Sequence, residues 1–262
     1  MALIPTSPRK RTWCVALVAA VVLAMIIAII VPLAVILPPK KKQNQSSTVL
    51  LPLYIYPETN STWMPLYNAI ESRPQLKFIV IVNPSSGPGS TPFPNDQYST
   101  ALTELNSYQN VQTIGYVRTN YANRDIATVL AEVSTYANWA TNSSGLAMHG
   151  IFFDEAPYQY AQAAVDYMRI ANKAVKDANA LQGDKIIVHN PGVVPDARYN
   201  DTNTDITVVF EQSYPVYTSL SMKKFLGEIS EFAEFLFVTD NTEDFYESFG
   251  FGWDEFVKSV PA

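Results

Sequence analysis

Seven short runs of apolar, β-branched and aromatic residues recur along the chain between residues 49 and 238. Several of these runs are apolar throughout instead of alternating with polar residues, which is typical of strands that are covered on both faces. They therefore predict buried β-strands, which we place at residues 49–56, 77–83, 112–117, 150–154, 185–189, 206–211 and 235–238.

The segments between these runs carry apolar residues at helical spacing. One such stripe consists of Ile126, Val129, Leu130, Val133 and Ala137. A second consists of Ala161, Val165, Met168, Ala171 and Val175. Because strands and helices alternate, the pattern predicts a parallel sheet of the α/β class, and about 210 residues suffice for a (β/α)8 TIM-type barrel. A doubly wound open sheet is the alternative, but no Gly-rich phosphate loop follows any predicted strand.

The N-terminal part of the chain has a different pattern. Residues 13–37 are apolar almost throughout and lie between two groups of three basic residues. About 25 apolar residues can span a bilayer, and the run is too long for a cleaved signal peptide. We therefore expect a cytoplasmic tail at 1–12, a transmembrane signal anchor at 13–37, a stalk at 38–48 and the barrel at 49–262.

The basic residues do not decide the orientation of this predicted anchor, because both flanks carry equal numbers. Glycosylation triplets do favour one side, since they are used only outside the cytoplasm. They begin at Asn60, Asn142 and Asn200. We therefore expect the chain to be a single-pass type II membrane protein at the cell surface, with its barrel on the extracellular or lumenal side.

Charge and composition narrow the possible functions. The formal net charge of -6 argues against a nucleic-acid partner, which would require lysine and arginine to neutralise phosphates. The only cysteine, Cys14, lies inside the predicted anchor, and neither His149 nor His189 has the spacing of a zinc ligand. No Gly-x-Ser-x-Gly motif is present. We expect no metal, no cofactor and a monomeric catalytic domain.

The stretch "GIFFDEAP" places Asp154 and Glu155 at the end of the fourth predicted strand, and Glu211 closes the sixth in "ITVVFEQSY". In this type of barrel, active groups come from the C-terminal ends of strands, so the three carboxylates would face one cavity. Adjacent carboxylates do not ionise independently, and glycoside hydrolysis needs one acid beside one charged carboxylate. The alternative for a single strand-end aspartate is a helix cap or a loop salt bridge, which explains three carboxylates together less well.

A sugar-binding cleft also needs aromatic platforms and polar donors. The candidates at strand ends are Tyr56, Asn83, Tyr116, Tyr121, Asn190 and Tyr214. Asp240 could pair with a free amine if the polymer is partly deacetylated. For the aromatic candidates a purely structural role is a strong alternative to sugar binding, because most of the chain's 15 tyrosines and 13 phenylalanines are expected to pack in the core.

Five stretches together give the chain from about Val49 onward a specific resemblance. They are "LLPLYIYP", "GYVRTNYANR", "GIFFDEAP", "VVFEQSY" and "FLFVTDNTEDFYESFGFGWDEFV". The chain resembles the spherulin-4-like cell-surface family, whose glycoside hydrolase members are endo-α-1,4-N-acetylgalactosaminidases that cleave fungal galactosaminogalactan. This resemblance implies a (β/α)8 barrel, an acidic site at Asp154, Glu155 and Glu211, and a polysaccharide substrate; the family also includes membrane-anchored members.

The implied substrate constrains the chemistry. In an α-linked N-acetylgalactosamine (GalNAc) the 2-acetamido group lies cis to the leaving oxygen, so a protein carboxylate or water must be the nucleophile. The hypothesis from sequence is that Glu155 is the proton donor and Glu211 the nucleophile, with Asp154 orienting them. The donor and nucleophile labels could be exchanged.

One departure from the family pattern favours a second function. About twenty residues, roughly one strand–helix unit, are absent between the sixth strand and "FLFVTD", where residues 214–220 pass almost directly into a helical segment. A gap beside Glu211 would leave a sheet edge unpaired. The alternative function is therefore a non-catalytic cell-surface glycan-binding protein on a hydrolase scaffold, although retention of all three carboxylates favours the enzyme.

Overall fold

The structure is a computed structural model that describes residues 46–211, residue 226 and residues 233–262. The described residues belong to a unit that extends over positions 45–262. The expected tail, anchor and most of the stalk lie outside the described residues. Among the helices that the described ranges contain, none is long and apolar enough to cross a membrane.

All seven predicted strands are present in the described part of the chain, and every pairing between them is parallel. The strands are β1 (Thr48–Leu53), β2 (Lys77–Val82), β3 (Val111–Arg118), β4 (Gly150–Asp154), β5 (Ile186–Asn190), β6 (Ile206–Thr207) and β7 (Phe235–Leu236). Their order in the sheet is β6-β5-β4-β3-β2-β1-β7. Neighbours in space are therefore neighbours in sequence, and β7 returns to lie beside β1, as in a TIM-like half-barrel.

Five α-helices lie in the described ranges. They are α1 (Met64–Ser72), α2 (Asp96–Leu105), α3 (Ile126–Asn142), α4 (Gln162–Asp177) and α5 (Trp253–Ser259). Side-chain caps start two of them: the Asn95 side chain accepts a hydrogen bond from Tyr98 N, and Asp125 accepts one from Thr128 N. The predicted stripe on α4 is confirmed for Val165, Met168, Ala171 and Val175, which are buried, but not for Ala161, which precedes the helix and is exposed.

The two faces of the sheet bury different sets of residues, as the period of two along a strand requires. The outer face packs against the helices through residues such as Leu51, Leu53, Val80, Ile151 and Phe153. The inner face buries side chains that all come from strands, namely Leu50, Ile79, Ile81, Ile114, Tyr116, Phe152, Ile186, Val188 and Ile206. A sheet whose inner face is filled by its own side chains is a barrel-type core, so the doubly wound alternative is wrong.

The inner-face parity continues to the C-terminal ends of the strands. Tyr54, the first residue after β1, follows Leu50 at even spacing and packs against the inner cluster. In the same way Asp154 follows Phe152, and Asn190 follows Val188. The strand period thus brings these polar and aromatic side chains to one end of the inner face.

The end of the sixth strand differs most from the sequence prediction. The sixth strand was predicted to reach Glu211, but its ladder with β5 covers only Ile206 and Thr207. One further backbone bond, from Val208 N to His189 O at 2.9 Å, ends the pairing. Glu211 therefore lies four residues beyond the strand and is not held by a ladder. The interval in which a strand–helix unit was expected to be absent, between Glu211 and residue 233, is largely outside the described residues.

Candidate active site

One amide connects two of the predicted catalytic carboxylates. The Nδ2 atom of Asn190, at the end of β5, lies 2.9 Å from Oδ1 of Asp154 and 3.0 Å from Oε2 of Glu211. The Asn190 side chain is buried, and its Oδ1 accepts a hydrogen bond of 3.1 Å from the backbone N of Gly192. Because every polar atom of this amide is engaged, its orientation is fixed and so is its hold on both carboxylates.

Asp154 lies in the more buried part of this network. Its second oxygen, Oδ2, accepts a hydrogen bond of 2.7 Å from the Tyr116 hydroxyl. Burial raises the pKa of Asp154 and the charge of Glu211 raises it further, while the hydrogen bonds from Tyr116 and Asn190 oppose the increase. The net direction is upward, so Asp154 is the carboxylate of this network that holds a proton more readily than usual.

Glu211 is more exposed and is positioned by hydrogen bonds. Its Oε1 accepts one from the hydroxyl of Tyr246, in addition to the one that Oε2 accepts from Asn190. Tyr246 is fixed in turn, because its carbonyl accepts a hydrogen bond of 3.1 Å from Tyr54 N. Burial and the nearby Glu211 raise the pKa of Tyr246 above its usual value, so its hydroxyl remains a donor to the carboxylate.

Three tyrosine rings form a wall along this pair of carboxylates. The ring of Tyr54 packs edge-on against Tyr116 at a centroid distance of 5.5 Å and against Tyr246 at 5.3 Å. Edge-to-face contacts of this kind fix the rings relative to one another. Burial, and then the charge of Asp154, raises the pKa of Tyr54, so this ring also stays neutral.

Glu155 belongs to a neighbouring set of contacts. Its side chain forms an ion pair with Arg118 at the end of β3, with a distance of 2.7 Å from Nε to Oε2. Its backbone has a φ of 48°, in the left-handed region, and its carbonyl accepts hydrogen bonds from Tyr121 N at 2.6 Å and from the Thr119 hydroxyl at 2.8 Å. The structure thus places Glu155 beside Asp154 in sequence but in a different hydrogen-bond network.

Two of the predicted sugar-binding residues, Tyr116 and Asn190, contact Asp154 directly, as described above. Two others hold loop structure. The Asn83 side chain accepts a hydrogen bond of 3.0 Å from Gly87 N, and Asp240 accepts one of 3.1 Å from Gly252 N. One oxygen of each of these two side chains is therefore already bonded to a backbone N–H.

The exposed candidates are Tyr56 and Tyr121, which are 42% and 47% exposed. The Tyr56 hydroxyl accepts a hydrogen bond of 2.9 Å from Asn95, the residue that caps α2. Tyr121 follows β3 and contacts Tyr158 with its ring. Tyr214 lies outside the described residues.

The sequence prediction missed Tyr54 and Tyr246. A signal for Tyr54 was available, because in "LLPLYIYP" it has the same parity as Leu50, whose side chain faces the interior. Tyr246 had no such signal, since it lies in an irregular segment ten residues after β7. Only the folded chain shows that this segment returns to Tyr54.

This arrangement can support acid–base chemistry. It combines a buried carboxylate of raised pKa, a more exposed carboxylate and neutral donors that fix both of them. Environments that push the proton affinities of two carboxylates apart are the usual basis for an acid and a base or nucleophile in one site.

Comparison with known proteins agrees with this geometry. Residues 48–225 match the model of the protein family described as spherulation-specific family 4. Spherulin-4 from Physarum polycephalum is 32% identical over 165 residues, which are 63% of this chain and 45% of the relative. The chain therefore spans just under half the length of that curated relative.

A solved structure is also similar. It is the crystal structure of Aspergillus clavatus Sph3 in complex with GalNAc, which shares 35% sequence identity with this chain. The two structures superimpose with a TM-score of 0.79, over 83% of this chain and 98% of that one.

Proposed function

This chain belongs to the spherulation-specific family 4, and we propose that it is a glycoside hydrolase with Asp154 and Glu211 as its catalytic carboxylates and Glu155 as a positioning residue. The observation that carries the proposal is the Asn190 amide, which holds Asp154 and Glu211 together at the C-terminal side of the barrel strands. Two charged carboxylates at such short range repel each other, and a pair that works as a catalytic acid and a nucleophile accounts for this cost in stability.

We further propose that the substrate is a fungal polymer of α-1,4-linked GalNAc, of the galactosaminogalactan type, and that cleavage occurs within the chain. The similar Sph3 structure holds GalNAc, which supports this class of sugar. The partly buried rings of Tyr54 and Tyr246 beside the carboxylates support it as well, because sugar rings present apolar faces to aromatic side chains.

In the proposed reaction Asp154 is the proton donor, since burial raises its pKa. This assignment replaces the sequence hypothesis, in which Glu155 was the donor. Asp154 gives its proton to the glycosidic oxygen as the bond from that oxygen to the anomeric carbon breaks, and Glu211 attacks that carbon. Water then releases the sugar, and Asp154 takes back a proton from that water. Glu155, paired with Arg118, acts as a positioning residue for the Asp154 backbone.

The proposed double displacement is the route of a retaining glycosidase. The two oxygens that Asn190 holds, one from Asp154 and one from Glu211, are within hydrogen-bond distance of the same nitrogen, so these two atoms are at most about 6 Å apart. Retaining glycosidases hold their carboxyl groups about 5–5.5 Å apart, whereas inverting enzymes separate them by about 6.5–9.5 Å to admit a water.

The test is release of reducing ends from purified galactosaminogalactan by the full-length chain and three variants. We expect Asp154→Asn and Glu211→Gln each to lower kcat/KM by about a thousandfold, and Glu155→Gln by about tenfold. Glu104→Gln is the matched control, because Glu104 is an exposed carboxylate on α2 outside the site. Circular dichroism and thermal unfolding would verify that each variant is folded.

An aryl α-GalNAc substrate separates the two roles. Its leaving group departs without a proton, so it should restore the rate of Asp154→Asn but not that of Glu211→Gln. Full activity of Asp154→Asn on the polymer would remove Asp154 from the mechanism. A folded parent that binds the polymer and releases nothing would instead establish the non-catalytic glycan-binding alternative.

A further inference from the structure

Three consecutive residues in the loop after β3 have a left-handed backbone, although none of them is glycine. The φ angles are 49° for Asn120, 55° for Tyr121 and 65° for Ala122. Such a conformation costs free energy for each residue with a Cβ atom and persists only where surrounding contacts enforce it. Strain of this kind is concentrated at functional sites, and here it fixes the position of an aromatic residue.

The contacts that enforce this conformation connect the loop to the backbone of Asp154 and Glu155. Tyr121 N donates to the carbonyl of Glu155 at 2.6 Å, and Thr119 N donates to the carbonyl of Asp154 at 2.9 Å. On the other side, the Arg124 guanidinium donates to the carbonyl of Arg118 at 2.9 Å. The strained loop is therefore attached to the backbone of both carboxylates at the end of β4.

The side chain presented by this loop is not part of the core. Tyr121 is 47% exposed, and its ring packs edge-on against Tyr158, which is 39% exposed, at a centroid distance of 6.2 Å and an interplanar angle of 79°. Packing of the interior would not require a tyrosine here, because neither ring belongs to a buried cluster. A tyrosine in a costly backbone conformation with an exposed ring indicates that the ring has an external partner.

The second ring is anchored as well. The carbonyl of Tyr158 accepts a hydrogen bond of 2.9 Å from Asp196 N, and the next carbonyl, that of Gln159, accepts one of 2.8 Å from the Tyr199 hydroxyl. These bonds tie the loop after β4 to the loop after β5. Both rings thus stand on fixed backbone, which reduces the entropy lost when they bind a ligand.

We propose that Tyr121 and Tyr158, together called the tyrosine platform, form a sugar-stacking subsite for a GalNAc unit outside the pair that is cleaved. This inference rests on the proposed function. The platform extends from the loops after β3 and β4, whereas Asn190 at the end of β5 and Glu211 after β6 lie on the other side of Asp154 in the sheet order. A polymer that crosses Asp154 therefore reaches the platform on one side, and its apolar ring faces match the exposed tyrosine rings in chemistry.

The platform makes affinity depend on chain length. The probes are α-1,4-linked GalNAc oligosaccharides of about three and about eight units, with binding to full-length Glu211→Gln measured by calorimetry. Adding Tyr121→Ala and Tyr158→Ala should weaken binding of the longer probe about tenfold and change binding of the shorter probe less than about twofold. Tyr121→Phe and Tyr158→Phe keep the rings and should keep the affinity.

Two further variants separate a binding role from a structural one. Tyr121→Gly removes the ring and accepts a positive φ, so it should lose affinity for the longer probe without losing thermal stability. Ile170→Ala removes a side chain that is 50% exposed on α4 and should leave binding of both probes unchanged.

The outcomes distinguish this inference from the proposed function. If the parent binds the longer probe more tightly and the double alanine variant does so equally well, the platform is overturned while the hydrolase proposal stands. An equal loss for both probes also overturns it, because the rings would then serve the cleaved unit or the fold. If neither full-length Glu211→Gln nor the unsubstituted chain binds either probe, the proposed function fails and the platform fails with it.

Discussion

Two regions of the sheet differ in how they hold their residues. In the long-strand region, β1 to β5, each strand has between five and eight residues. In the short-strand region, which comprises β6, residues 208–211, β7 and residues 237–252, the two strands have two residues each. The candidate site is shared between them, because Asp154 and Asn190 come from the first region and Glu211 and Tyr246 come from the second.

The comparison shows two ways of placing a catalytic group. Asp154 is placed by a backbone ladder, in which it pairs with Arg118 on one side and Asn190 on the other. Glu211 is placed by side-chain hydrogen bonds from Asn190 and Tyr246. Ladders resist substitution of a single side chain, whereas a residue that depends on two hydrogen bonds is sensitive to each of them.

The largest effect is expected from a pair of glycines, one in each region. A Cβ atom at Gly150 would overlap the backbone oxygen of Ile186, whereas one at Gly250 would overlap the side-chain oxygen Oδ1 of Asp240. The ladder cannot move aside, but the Asp240 side chain can rotate at the cost of its hydrogen bond from Gly252 N. Gly150→Ala should therefore lower the free energy of unfolding by about 3 kcal/mol or more, and Gly250→Ala by about 1 kcal/mol.

Urea denaturation of both variants beside the parent measures this difference. Equal losses of stability would show that the two regions are equally rigid, which would contradict a difference between the long-strand and short-strand regions.

The next largest effect is expected in the pH dependence of folding stability. His189 lies on the outer face of β5, where its Nε2 is 2.8 Å from Oδ1 of Asn172. Burial lowers the pKa of His189 from 6.5 to about 4, so between these values the unfolded chain binds more protons than the folded one. Stability should therefore fall as pH decreases from 6.5 towards 4, by roughly 3 kcal/mol at most.

Asp154 acts in the opposite direction, since its pKa is raised by burial and the folded protein gains stability when it is protonated. Denaturation at several pH values should show a flatter dependence for His189→Gln than for the parent, and a steeper loss in acid for Asp154→Asn. An unchanged slope in His189→Gln would mean that this histidine does not control acid stability.

The smallest effect is expected from removing one tyrosine hydroxyl at a time. Tyr246→Phe takes away one of the two hydrogen bonds that position Glu211 and should lower kcat/KM about tenfold or more. Tyr116→Phe should lower it only about threefold, because the ladder still places Asp154. Steady-state kinetics on the polymer would measure both losses. A greater loss of kcat/KM in Tyr116→Phe than in Tyr246→Phe would show that Asp154 depends more than Glu211 on side-chain hydrogen bonds.

Much of the long-strand region could be predicted from sequence. The apolar runs locate β2 and β4 almost to the residue, because strands buried on both faces carry little polar interruption. Asp154 ends β4 and Glu155 follows it. This pair indicated the site because, in a barrel, side chains at the C-terminal ends of buried strands line the open end where active sites lie.

The short-strand region could not be predicted to the same depth. The run at residues 206–211 has the composition of a strand, yet only two of its residues pair, and composition contains no information about partners. The separate surroundings of Asp154 and Glu155 were also hidden, because they depend on a backbone φ of 48° at Glu155, which places its side chain with Arg118. The position of Tyr246 depends on a return of the chain that no local pattern encodes.

Asn190 has one more consequence for the reaction. A carboxamide has no proton that it can release near neutral pH, unlike a histidine, a carboxylic acid or a water molecule placed between two acids. It therefore acts as an insulator: it keeps Asp154 and Glu211 close together but offers no path along which a proton could pass from one to the other. In the proposed reaction the proton on Asp154 therefore does not reach Glu211 through this amide.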